Sequence, residues 1–251
     1  MPVNKPVLIL QLRPEDDTSD SEFAALLRYG GLTAGDVRRI RIEKSGIPEI
    51  SLADYSAIIV GGSPFDISTP EHEKLPIQKK IEDDFQRLLT DVVAEDFPFL
   101  GACSGCGLLG SFLGTPITRR FSETVSAVTV SLTEDGEKDP LLQDFPKSIS
   151  VLLGHKEACD YVPHGSTLLV QGDRCPVQMF RVGDNVYATQ FHPEGDAEGF
   201  TLRIHAYKNH GYFSPQEADE LIEAIDRADT PFAQLLLKRF VDRYARQGSN
   251  E

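Results

Sequence analysis

The chain has no tryptophan, two methionines and four cysteines in 251 residues. Cys103, Cys106, Cys159 and Cys175 are too few and too irregularly spaced for the disulfide framework of a secreted scaffold, so a reducing cytoplasm is the simplest compartment. Cys159 and Cys175 form no second close pair to join Cys103 and Cys106, which argues against a structural zinc site. Basic residues are outnumbered, 25 Lys and Arg against 39 Asp and Glu, for a formal charge of −14. No basic cluster exceeds a few residues, so neither nucleic acid nor an anionic membrane is an expected partner. Long hydrophobic runs are missing too. Nothing approaches the roughly 20 apolar residues that a membrane span needs, and Met1 to Lys5 followed by a short apolar run lacks a signal-peptide profile.

What is present reads as one α/β domain over 1–251 with a helical extension at about 201–247. Apolar runs at Val7–Leu12, Ala57–Val60 and Phe97–Ala102 predict buried strands, and Val37–Ile42, alternating apolar and basic, predicts a strand towards one edge. Helical spacing appears over Ser19–Tyr29, stopped by Gly30-Gly31, and over Lys74–Ala94. Strand and helix alternate, which predicts a parallel sheet covered on both faces. After Gly114 the pattern changes to short β-like runs at Val125–Leu132, Ile149–Leu153, Thr167–Val170, Val177–Val182 and Val186–Phe191, an antiparallel extension of the same sheet. Ser214-Pro215-Gln216-Glu217 is a capping box opening a helix to about Arg227. Thr230-Pro231 opens a last helix ending near Arg246, and only the final few residues read as disordered. The fold class is therefore a three-layer α/β/α arrangement with a mixed, largely parallel central sheet.

Three stretches carry chemistry. Phe97 to Gly110 reads as a strand turning sharply into a helix with Cys103 at the corner, flanked by Gly101 and Gly105 where only small residues fit. A thiol at a helix start feels the positive end of the dipole, which favours thiolate and predicts a nucleophile. In Gln190-Phe191-His192-Pro193-Glu194 a β run ends in a histidine, and a carboxylate two residues on can fold back to the imidazole. Gly61-Gly62-Ser63-Pro64 follows a buried strand, and Gly62 together with Ser104 could offer backbone N–H groups to an oxyanion. Cys103-Ser104-Gly105-Cys106 is also a C-x-x-C at a strand-to-helix junction, as in a thioredoxin-like dithiol, but that reading leaves the other two stretches unexplained. A regulatory Cys103–Cys106 disulfide stays open beside either reading. His72, His164, His205 and His210 have no helpful spacing.

In that combination Gly101-Ala102-Cys103-Ser104-Gly105, the Gly61-Gly62 loop and Gln190 to Glu194 resemble the class I glutamine amidotransferase (glutaminase) domain over roughly residues 5–200. The resemblance implies a flavodoxin-like fold with Cys103 as nucleophile, His192 as base and acid, and Glu194 as orienting group. Gly62 and Ser104 would donate to the oxyanion. The implied reaction attacks a glutamine or γ-glutamyl carboxamide, releases ammonia or an amine, and hydrolyses a thioester, with no cofactor and no metal. No ammonia-using domain is encoded, so an amidotransferase would need a separate synthase or acceptor subunit. The family commonly carries a substrate-holding glutamine four residues after the nucleophile, where this chain has Gly107. Leu153-Gly154-His155-Lys156-Glu157 resembles the family's other substrate loop, with His155 as a contact. A γ-glutamyl peptidase or hydrolase on the same scaffold is the alternative enzyme, and a catalytically silent glutaminase-fold binding protein is the alternative of another class.

Overall fold

The structure, a computed structural model, describes residues 5–209 and 212–246. His210 and the last residues of the tail, expected to be disordered, lie outside the described residues.

The first half alternates as its sequence does. β1 (Val7–Gln11) leads into α1 (Asp16–Gly30), then β2 (Val37–Arg41), a short α2 (Ile42–Ser45), β3 (Ala57–Val60), α3 (Pro76–Ala94) and β4 (Phe99–Ala102). Helix α1 starts three residues before its apolar spacing does, on Asp16 and Asp17, whose carboxylates suit a helix N-terminus. It ends at Gly31, whose φ of 64° closes the helix with an N–H to the Arg28 carbonyl. After β4 come α4 (Ser104–Phe112), β5 (Ile117–Thr118), β6 (Glu123–Leu132), β7 (Ser148–His155), β8 (Ala158–Cys159), β9 (Ser166–Gln171), β10 (Met179–Val182) and β11 (Val186–Thr189). Three helices follow, α5 (Ala197–Tyr207), α6 (Ala218–Asp226) and α7 (Pro231–Tyr244).

One nine-stranded sheet runs β2-β1-β3-β4-β11-β10-β9-β6-β7, and β5 pairs with β8 in a separate ribbon. Pairing is parallel from β2 to β11 and antiparallel beyond. The antiparallel extension expected from the sequence is thus continuous with the parallel half, and β2 is the edge strand. The central strands are buried on both faces because alternate side chains feed two cores. Val7, Ile9, Ile59 and Leu100 pack with Leu26 of α1 and Leu237 and Phe240 of α7. Leu8, Leu10, Ile58, Val60 and Phe99 pack with Phe85 and Leu89 of α3 and Leu109 of α4. A smaller core joins Val125 and Leu152 to Phe200, Ile204 and Ile225 of α5 and α6. The expected helix after Ser214 begins as a 3-10 turn over Pro215–Glu217 before α6, with the Ser214 N–H on Glu217 Oε2 at 3.2 Å. Among the described residues no helix is long and apolar enough to cross a membrane.

Candidate active site

Register decides what meets at one edge of the sheet. In the parallel strands Leu10 aligns with Val60, Val60 with Gly101, and Ala102 with Thr189. The residues that follow at the carboxyl ends are Arg13, Gly62, Cys103 and His192, one each from β1, β3, β4 and β11. Such an edge is where open α/β sheets gather their ligands. The Cys103 N–H donates to the Thr189 carbonyl at 2.7 Å, tying the two central strand ends together.

Cys103 is the residue before α4 and has φ 52° and ψ −96°, a conformation that strains a side-chain-bearing residue. The glycines around it are there because the turn is closed upon itself. A Cβ on Gly101 would stand 2.7 Å from the backbone carbon of Gly105, and one on Gly105 would stand 3.2 Å from Val60 Cβ. Both small-residue positions expected at this corner are therefore explained by contact.

His192 and Glu194 occupy a tight turn closed by the Gly195 N–H on the His192 carbonyl at 3.0 Å, with Pro193 at the position where a proline presets the turn. The turn folds the carboxylate back, and His192 Nδ1–H donates to Glu194 Oε1 at 2.7 Å. That bond leaves Nε2 with the lone pair. The Phe200 ring meets the imidazole edge-on, with centroids 5.4 Å apart. Cys103 and His192 line one common cavity.

Behind them lies a buried charged network that no sequence pattern announces. Arg203 Nη2 donates to Glu194 Oε1 at 2.9 Å and lies 3.7 Å from Glu22 Oε2, while Arg13 Nε donates to the same Glu22 oxygen at 2.6 Å. Gln11 Nε2 donates to Glu22 Oε1 at 3.0 Å. Two cations balance two carboxylates, as burial of charge requires. The signal for Arg13 was its place just past a buried parallel strand; Glu22 and Arg203 sit in helices, where nothing in spacing singles them out.

The electrostatics describe a neutral resting pair. Burial pushes the Cys103 thiol up to about 12, outweighing the nearby Arg13 and Arg203 charges, which lower it. The thiolate preference expected from the helix start is thus overridden by desolvation. Burial also lowers the His192 pKa, opposed by Glu194, so the ring is neutral and able to accept a proton. Glu194 is held well below the ordinary carboxylate range, against its own burial, by His192 and Arg203.

Three expectations change on contact with the geometry. The Gly62 N–H, assigned from sequence to the oxyanion, donates to Glu22 Oε2 at 3.2 Å and is already engaged. Ser104 keeps its expected place as the first residue of α4, where N–H groups have no intrahelical acceptor. His155 borders a second cavity with Cys103 and Gly107, but its Nε2 lies 3.0 Å from Glu123 Oε2 and its Nδ1 3.1 Å from the Glu157 carbonyl. Both ring nitrogens are committed within the protein, which leaves it a wall and not a polar contact. Gly107 faces Ile67, whose Cδ1 stands 2.9 Å from where a Cβ would be, so the space of the family's glutamine side chain is filled from the neighbouring loop. Cys106 turns away from Cys103: hydrogen bonding to Cys159 and burial raise its pKa, and all four cysteines are free.

Two buried donor sets have metal-like composition, Glu22–His192–Glu194 and Glu123–His155–Cys175. In the first, Arg13 and Arg203 already hold the carboxylates, and a cation would have to displace them. In the second, Gln178 Nε2 donates to Glu123 Oε2 at 2.8 Å alongside His155, giving an internal hydrogen-bonded cluster.

Residues 17–223 match the family model of the class-I glutamine amidotransferases. A relative from Sulfurisphaera tokodaii, named as one subunit of a glutamine-hydrolysing GMP synthase, is 29% identical over 169 residues, covering 67% of this chain and 79% of that protein. The glutamine amidotransferase-like protein YfeJ of Salmonella typhimurium is 26% identical over 145 residues, 58% of this chain and 59% of its own length. The aligned part thus spans about three fifths of that relative. A crystal structure of a glutamine amidotransferase from Thermotoga maritima superimposes with a TM-score of 0.74 over 95% of this chain and 97% of that one, at 23% identity. With the fold and the family model in agreement, the chain belongs to the class I glutamine amidotransferase family.

Proposed function

We propose that the protein is a cysteine-dependent amide hydrolase of the glutaminase type, acting through Cys103, His192 and Glu194 on a glutamine or γ-glutamyl carboxamide. One observation carries the reading. The register of β4 and β11 delivers the strained thiol and the histidine to the same cavity, with the imidazole oriented by a carboxylate at 2.7 Å. His192 takes the thiol proton as sulfur attacks the carbonyl carbon, and returns it to the nitrogen as the C–N bond breaks. Water then hydrolyses the thioester, with His192 as base. Glu194 stabilises the imidazolium formed in between, and Arg203 positions Glu194. Ser104 N–H meets the oxyanion; Gly62 joins it once its N–H leaves Glu22.

The Ile67 methyl over Gly107 favours a γ-glutamyl compound over free glutamine, because the side chain that helps hold glutamine in the family has no room here. Where ammonia is the product, relatives named for GMP synthase support a separate synthase or acceptor subunit that consumes it, in the cytoplasm. The test is release of ammonia and glutamate from glutamine, γ-glutamyl dipeptides and glutathione. Cys103→Ala is expected to lose about 10³-fold or more, and His192→Ala about as much, because such residues act as a unit. Full activity in Cys103→Ala overturns the assignment.

A further inference from the structure

Two cavities meet at Cys103 and share Ser63 and Tyr212, but the rest of their walls differ in kind. The first is polar, with Asp66, Lys156, Glu157 and Gln190 around Gly107. The second carries Phe200, Tyr207 and Phe213 with Arg13 and Arg203. His192 belongs to the second cavity alone.

That asymmetry assigns the two halves of a substrate. In thioester formation the S–C bond forms as the C–N bond breaks, and the proton taken from the thiol passes through His192 to the leaving nitrogen. The nitrogen therefore lies on the imidazole's side of the sulfur, and the acyl portion lies in the polar cavity. Water then converts the thioester to a carboxylate and restores the thiol, so the balance is one amide and one water giving one acid and one amine. Ammonia offers no apolar surface to a room walled by aromatic rings, whereas an aromatic amine buries its ring there.

The guanidinium of Arg203 adds a second requirement. It is 7% exposed, and its Nη1 is buried with no hydrogen-bond partner among the described residues. A buried donor of that kind calls for an acceptor. We propose, resting on the Cys103–His192 reading above, that the second cavity is a leaving-amine subsite. Its ligand is an amine with an aromatic body and a carboxylate, which makes the substrate a γ-glutamyl amide of an aromatic amino acid.

The test compares kcat/KM of the purified protein for γ-glutamylphenylalanine, γ-glutamylphenethylamine, γ-glutamylglycine and glutamine. Phenylalanine is expected to exceed glycine and glutamine by about tenfold or more, from burial of one ring. Phenethylamine, lacking the carboxylate, is expected to fall between. Phe213→Ser should shrink the phenylalanine-to-glycine ratio about fivefold, and Phe213→Leu, which keeps apolar volume, should shrink it less. A ratio near one in the wild type, or a ratio unmoved in both Phe213 variants, overturns the subsite. Equal rates for phenylalanine and phenethylamine overturn the carboxylate assignment to Arg203. If glutamine is cleaved in a Cys103-dependent way while the aromatic amide is not preferred, only the subsite fails. If Cys103→Ala cleaves these amides as well as wild type, or none is cleaved, the hydrolase reading fails with it.

Discussion

His192 and Arg203 give the site a pH signature. Burial, reinforced by the Arg203 and Arg13 charges, lowers the His192 pKa from its ordinary 6.5, so the ring serves as base down into mildly acidic solution. The acid limb of kcat/KM is expected below about pH 6.5. Arg203→Gln removes a charge that lowers that pKa, so the limb should move upward in pH as kcat falls. If kcat falls with the limb unmoved, Arg203 supports the fold without tuning the base. Cys103 makes the matching prediction on the alkaline side. With its thiol pushed up to about 12, alkylation by iodoacetamide near neutral pH is expected to be slower than that of a free cysteine. A fast reaction at pH 7 would show that the thiolate is already formed. Of these residues Cys103, His192 and Glu194 were legible in the sequence, because a glycine-flanked thiol and a His-Pro-Glu turn are local patterns. Glu22, Arg13 and Arg203 were not, since their pairing depends on elements far apart in the chain. The capture of the Gly62 N–H by Glu22 was hidden for the same reason.

The elbow between β4 and α4 is the element on which the site depends. It holds Cys103 at φ 52° because the chain folds so tightly that Gly101 and Gly105 touch through their backbones. Gly101→Ala would drive a methyl into the Gly105 carbonyl carbon, where no flexible side chain can give way. The expected cost is about 1–3 kcal/mol in urea unfolding, with activity lost further than stability. Unchanged stability would mean that the corner is looser than its contacts show. Buried strands and long amphipathic helices read clearly from sequence because their periods are strong, as in Val7–Gln11 and Pro76–Ala94. The short elements were missed for want of a period. Helix α2 has four residues, and β5 and β8 have two each, their pairing set by neighbours in space.

Across the whole molecule, the last helix is part of the core that carries the site. Leu236, Leu237, Phe240 and Val241 of α7 pack with β1, β3 and β4 residues in one cluster. Leu237→Ala is expected to cost about 2–5 kcal/mol in urea unfolding; a change below about 1 kcal/mol would show that α7 is dispensable to that core. The excess negative charge is carried largely by exposed helix faces, while at the site two arginines face two carboxylates. The scaffold is acidic outside and electrically balanced where the chemistry is placed. The most direct test of that chemistry is to quench the protein in acid during turnover of a γ-glutamyl amide and map its peptides by mass. A γ-glutamyl thioester confined to the peptide bearing Cys103 is the expected result; steady turnover with Cys103 unmodified, or full turnover by Cys103→Ala, would contradict it.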